Sequence, residues 1–185
     1  MKQALLAEAK ANEMIESIYD EIVELHHHRE IWEYLNAQLP KRGGSIINGA
    51  LMRWYVDSQS AAVRRLASDR SQDKRSFPRL LMLVGAEPKL LKGRYSVIMS
   101  SEILKADLAA LSAETANVAR WADEKVAHMG RVSTANPTFN ELDSAIDTLG
   151  RLLSKYYQLI TGGGLPEVTP IINDDWLRPF TKPWF

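Results

Sequence analysis

Apolar residues recur along this chain at intervals of three and four, and nowhere do they alternate over a run long enough for a strand. A helix turns every 3.6 residues, so this period confines the chain to an all-α fold. The first pattern runs from Gln3 to Leu39 and sets Ile15, Ile18, Ile22, Leu25, Arg29 and Trp32 on one face. Pro40-Lys41-Arg42-Gly43-Gly44 breaks it. A second helix, Ser45 to Ser68, has an expected seam of Ile47, Leu51, Trp54, Ser58, Ala61 and Arg65. An arginine in a seam is paired, reaches water along its aliphatic stem, or lines a functional cleft.

Phe77-Pro78 opens a short helix to about Val84, since proline is tolerated in a first turn. A third long helix is expected from Val97 to Met129, with an interruption near Ser100-Ser101. Its stride is Leu104, Leu108, Leu111, Thr115, Val118, Ala122 and Met129, with Lys125 at a seam position. Gly130 suits its C-terminus. Thr138-Phe139-Asn140-Glu141 is a capping box. The last helix then carries Leu142, Ile146, Leu149, Leu153, Tyr156 and Ile160 on one face, until Gly162-Gly163-Gly164 stops it. The expected architecture is a helical bundle of four long helices plus a short one over residues 1–165. Residues 166–185 form an extended tail with Pro166, Pro170, Pro179 and Pro183. Its Trp176, Phe180, Trp184 and Phe185 are too apolar to stay solvated, so the tail is expected to dock on the bundle.

A chain of 185 residues is long enough to bury a core, and hydrophobic residues make up 45% of it. Lys plus Arg and Asp plus Glu are both 23, so any anion site must be local. The absence of cysteine excludes disulfides, thiolate zinc sites and a cysteine nucleophile. The N-terminus lacks the apolar core of a signal peptide, and no window of membrane-spanning length is free of charge. A cytoplasmic protein without a membrane partner is expected.

Three features bear on chemistry. His26-His27-His28 resembles a metal site, but successive helical residues point about 100° apart and do not converge on one ion. A solvated or interfacial run is expected, with no metal and no cofactor. The stretch Arg64 to Arg79 sets Arg64, Arg65, Arg70, Lys74, Arg75 and Arg79 against Asp69 and Asp73. It is either a local phosphate-binding surface or a solvated loop. His128 stands apart from the other histidines and is flanked by Arg120, Lys125 and Arg131. One imidazole beside fixed cations is the minimum kit for metal-free phosphodiester chemistry, in which the imidazole moves protons and the cations hold phosphate. The other reading is a helix-end histidine stabilised as a cation by the helix dipole.

Several stretches, in order, resemble the HEPN-like proteins of the abortive-infection U group. They are Tyr55-Val56-Asp57-Ser58-Gln59, Arg64-Arg65, Asp73-Lys74-Arg75-Ser76-Phe77-Pro78-Arg79-Leu80-Leu81, and Ala122-Asp123-Glu124-Lys125-Val126-Ala127-His128. Glu141-Leu142 to Tyr156-Tyr157, Asp175-Trp176 and Pro183-Trp184 continue the likeness, which covers about Glu30 to Phe185. The resemblance implies a HEPN bundle, a homodimer and a role around RNA in phage defence or a toxin–antitoxin pair, with a neutralising partner protein. It implies metal-free RNA cleavage through a histidine preceded by an arginine with four to six residues between them. His128 matches the histidine, whereas Arg120 stands seven intervening residues before it. Arg120 and His128 are the catalytic candidates, and Lys125, Arg131, Arg65 and Arg64 the substrate-binding ones. Two functions stay open: a metal-independent endoribonuclease, and a catalytically inactive HEPN module that serves as a binding or assembly partner.

Overall fold

The computed structural model describes residues 2–38, 46–71, 75–92, 99–127 and 134–164. These form five α-helices: α1 (Lys2–Gln38), α2 (Ile46–Ser68), α3 (Phe77–Ala86), α4 (Ser101–Trp121) and α5 (Phe139–Thr161). A 3-10 turn, Pro88–Leu90, follows α3, and no strand occurs among the described residues. The expected break at residues 40–44 and the aromatic tail lie outside the described residues, as do Met129 and Gly130.

Side-chain ties fix how the long helices run. Between α1 and α2, the Trp32 ring stacks on Tyr55 with centroids 5.1 Å apart. Further along, Gln59 Nε2 donates to the Leu25 carbonyl at 2.9 Å, and Arg65 Nε donates to Glu21 at 2.9 Å. One number rises while the other falls, so α2 is antiparallel to α1. By the same reasoning α5 is antiparallel to α1, through Arg29–Asp147 at 2.8 Å and Tyr157–Glu16 at 3.0 Å. Lys155–Asp107 and Asn117–Glu141 set α4 antiparallel to α5. The result is an up-down-up-down four-helix bundle with α3 packed against α1, α2 and α4.

The core is where the helical period placed it on three of the four long helices. Ile15, Ile18, Ile22, Leu25 and Trp32 of α1 are buried, while Arg29 at the sixth seam position is half-buried and paired with Asp147. On α4, Leu104, Leu111, Thr115 and Val118 are buried, Leu108 is half-buried against the core, and Ala122 just beyond the helix is buried too. All six predicted residues of α5 are buried. Removing each large aliphatic side chain from water stabilises the fold by about 1.5–3 kcal/mol before entropy is counted.

α2 differs. Its buried residues are Tyr55, Gln59, Ser60, Ala62, Val63, Leu66 and Ala67, and the stripe Tyr55, Gln59, Ala62 and Leu66 lies one residue beyond the predicted seam. Trp54, expected inside, is 70% exposed, and Arg65 is exposed too. The reason is chemical ambiguity: α2 carries apolar residues on adjacent stripes. Packing selected the stripe whose Tyr55 stacks with Trp32 and Phe139.

The caps explain the boundaries. Ser76 accepts from the Arg79 N–H and Pro78 falls in the first turn of α3. Ser100 accepts from the Ile103 N–H, so the suspected interruption near Ser100-Ser101 is the start of α4. Thr138 and Glu141 form the predicted capping box. Gly162 ends α5 at φ 74°, a left-handed conformation that costs glycine nothing. α4 does not run on to Met129 as a regular helix. After Trp121 it widens into a π turn, Ala122–Val126, in which the Ala127 N–H bonds the Ala122 carbonyl at 2.9 Å. That extra residue per turn shifts the register, and Lys125, expected in the seam, is exposed.

Candidate functional site at the end of the fourth helix

The π turn is fastened on three sides. The Trp121 indole N–H donates to Asp57 of α2 at 3.0 Å. Arg64, two turns further along α2, brings its Nε within 2.6 Å of Asp123. Glu124 accepts the Thr134 N–H at 2.8 Å and the Thr134 hydroxyl at 3.4 Å. The last contact draws together the two ends of the connection that contains His128 and Arg131.

The predicted site residues therefore distribute as follows. His128 and Arg131 lie outside the described residues. Arg120 is exposed on the last turn of α4, and Lys125 is exposed in the π turn. Arg64 reaches the same end of the bundle through Asp123. Arg65, one position on and about 100° around α2, is turned to α1 and paired with Glu21. So the fold collects Arg64, Arg120 and Lys125 at the end of the helix that leads into His128, and leaves Arg65 in the α1–α2 interface. Asp57, Asp123 and Glu124 stand among the cations and offset much of their charge.

Beside this end lies an open groove of about 610 Å³ on the N-terminal half of α2, lined by Ile46, Gly49, Ala50, Arg53, Trp54 and Asp57. Asp57 is common to the groove and to the Trp121 tie. Ile46 is 91% exposed. This surface was invisible in the sequence because the misplaced seam had buried Trp54.

A second polar cluster was missed. His26 is half-buried in the α1–α5 interface, with Nδ1 3.0 Å from Arg29 Nη2, while Arg29 Nη1 donates to Asp147. A side chain at Gly150 would meet His26 Nε2 at 3.3 Å, so the small residue admits the ring. Burial lowers the His26 pKa, and Arg29 lowers it further against the opposing pull of Asp147. Burial also raises the Asp143 carboxyl, which Arg29 counteracts and Glu33 and Asp147 reinforce. Burial pushes the Tyr55 phenol up to about 12. The available signal was Arg29 in the α1 seam with His26 one turn before it, opposite Asp143 and Asp147 one turn apart on α5. Of the three adjacent histidines, His26 turns inward, and His27 and His28 face each other with ring centroids 6.5 Å apart. Among the described residues no three His, Asp or Glu side chains are arranged to hold a metal ion.

No known family model, curated protein or solved structure matches the chain. The described residues form an all-α four-helix bundle. No helix among the described residues is long and apolar enough to cross a membrane.

Proposed function

We propose that the chain is a HEPN-type, cytoplasmic RNA-binding protein of phage defence or a toxin–antitoxin pair, working through the α4 end as a homodimer. One observation carries the reading. The helix widens into a π turn directly before His128, and Asp57, Arg64 and Thr134 hold that turn from three directions. π turns concentrate at functional sites because they re-aim the residues that follow at some cost in helix regularity. The turn leads into the segment that carries His128 and Arg131, and Arg120 before it and Lys125 within it are exposed. His128 would move the proton of a ribose 2′-hydroxyl, and an arginine fork would hold the phosphate.

A second reading is a catalytically inactive HEPN module that binds RNA or a neutralising partner protein without cleaving. It is favoured by Arg64, whose guanidinium is already engaged by Asp123, and by the seven residues between Arg120 and His128.

A cleavage assay separates the two. Purified protein with chelator present should cut RNA to products ending in a 2′,3′-cyclic phosphate, and His128→Ala should lower the rate by about 10²–10⁴-fold with little change in affinity. Salt-dependent binding without cleavage establishes the inactive module. Absence of any RNA binding refutes the RNA readings and leaves only a module that binds a partner protein.

A further inference from the structure

Ile46, Gly49, Ala50, Arg53, Trp54 and Asp57 line the groove on α2, and at about 100° per residue they share a stripe about 140° wide. Five of the six are exposed, Ile46 at 91% and Trp54 at 70%, and Asp57 is half-buried. Further down α2 the stripe continues as Ser60 and Arg64, and there it is covered. Ser60 is wholly buried, and Arg64 is paired with Asp123 of the π turn. The bare stretch is therefore bounded, running about 17 Å from Ile46 to Asp57 at about 1.5 Å per residue. Large apolar side chains held this far open mark an interaction surface. We infer that two copies of the chain meet here, α2 against α2, antiparallel about a two-fold axis. The inference rests on the homodimer of the reading above and gives it a surface and a register.

Geometry sets the register. A two-fold contact is isologous: where one residue meets a second, the second meets the first. The stripe is covered from Ser60 onward, so another helix fits along the bare stretch, and the axis passes through its middle, level with Leu51 and Met52. Ile46 then stands opposite Asp57 of the second copy, Gly49 opposite Trp54, and Ala50 opposite Arg53. Every one of the six residues finds its counterpart within the same six. A Cβ at Gly49 meets nothing within 4 Å, so that position leaves room, and Trp54 is the large exposed ring that fills it. Each copy offers one gap and one ring, and the two-fold closes both gaps with both rings at once. Ala50 leaves space for the aliphatic stem of Arg53. With small residues at the middle, the helix axes can approach to about 8 Å, the close end of the usual range.

Charge agrees with self-pairing. The face carries one cation, Arg53, and one anion, Asp57, so two copies meet without net repulsion. Asp57 comes opposite Ile46 in the first turn of the second α2, where a helix favours negative charge. The Trp121 indole N–H holds Asp57 Oδ1 at 3.0 Å and so fixes where the carboxylate stands. Leu5 and Leu6, on the first turns of α1, are another exposed apolar pair, and they serve as the control surface.

Sedimentation velocity of the full chain at micromolar concentration tests the contact. Wild type should run as a dimer. Trp54→Ala should weaken that dimer at least about tenfold, as loss of a central interface tryptophan does. Gly49→Leu is the more discriminating variant, because it adds apolar surface and favours the helix over glycine, yet closes the gap. It should run as a monomer while melting, by circular dichroism, no lower than wild type, which separates a lost contact from a lost fold. Leu5→Ser combined with Leu6→Ser should stay dimeric. A dimer that survives both Trp54→Ala and Gly49→Leu overturns the contact and leaves the homodimer standing on another surface. Dissociation by the Leu5 and Leu6 changes alone overturns it too, in favour of the start of α1. Dissociation by Trp54→Ala but not by Gly49→Leu overturns the register and with it the proposal. A wild-type monomer overturns the contact and the homodimer together, and RNA binding and cleavage are then read separately by the chelator assay.

Discussion

At the scale of single residues, Arg65 shows how an ion pair is valued by its exposure. Its guanidinium is paired with Glu21, but the side chain is 56% exposed. Pairs in that setting contribute about 0–1 kcal/mol, so Arg65→Met should leave chemical-denaturation stability within about 1 kcal/mol of wild type. Asp107 is the contrasting case. It accepts from Lys155 at 2.6 Å and from the hydroxyl of Tyr156, whose residue is wholly buried. Burial, then Asp107, hold the Tyr156 phenol above its usual range, so the proton stays in the bond. Asp107→Ala strands that hydroxyl and should cost about 1–3 kcal/mol, read from the same denaturation curves. His26 adds a pH dependence. Its folded pKa lies below the unfolded value, so its contribution is present above about 6.5 and lost as pH falls through the lowered folded pKa. Thermal melts from pH 8 to 5 should show a steeper loss in wild type than in His26→Gln. A parallel pair of profiles would show that burial, Arg29 and Asp147 do not shift the ring.

At the scale of elements, caps decide where helices stop. The Thr138 hydroxyl accepts the Glu141 N–H in the α5 capping box while the Glu141 carboxylate accepts the Thr138 N–H, and Thr138→Ala should lower stability by about 1 kcal/mol in denaturant titration. The Glu141 carboxylate is held below its usual range by the Thr138 N–H first, then by Asn117 and the Thr138 hydroxyl. Its capping contribution is therefore present above the ordinary carboxylate range and lost as acid takes pH through the lowered value. The π turn is the element the sequence did not disclose. A period-seeking reading continues α4 to Met129, because Lys125 has a long aliphatic stem and passes as a seam residue. The outward turn of Lys125 follows from tertiary ties to Asp57, Arg64 and Thr134, none of them local to the helix.

At the scale of the whole molecule, the four long helices share one core, so a cavity at its centre is felt by all of them. Leu149 is fully buried on α5, and Leu149→Ala should cost about 2–5 kcal/mol, with α-helical circular dichroism lost in a single transition. Smaller loss of stability, or two transitions, would mean that part of the bundle folds independently of α5.

What the sequence determined by itself was whatever depends on neighbours along the chain. Helical class, the buried faces of α1, α4 and α5, the Thr138 capping box and the Gly162 stop all follow from spacing and side-chain chemistry within a few residues. The tertiary structure decided between alternatives that local chemistry leaves nearly equal. On α2, two adjacent stripes are apolar enough to face the core, and the stacking of Tyr55 with Trp32 and Phe139 selected one and exposed Trp54. It also sent neighbouring Arg64 and Arg65 to different partners, Asp123 and Glu21, because a step of about 100° per residue points them at different helices. It turned His26 inward beside Arg29, whose guanidinium pairs with Asp147, a residue far away in the chain. Packing sums over distant contacts, and no window of sequence contains that sum.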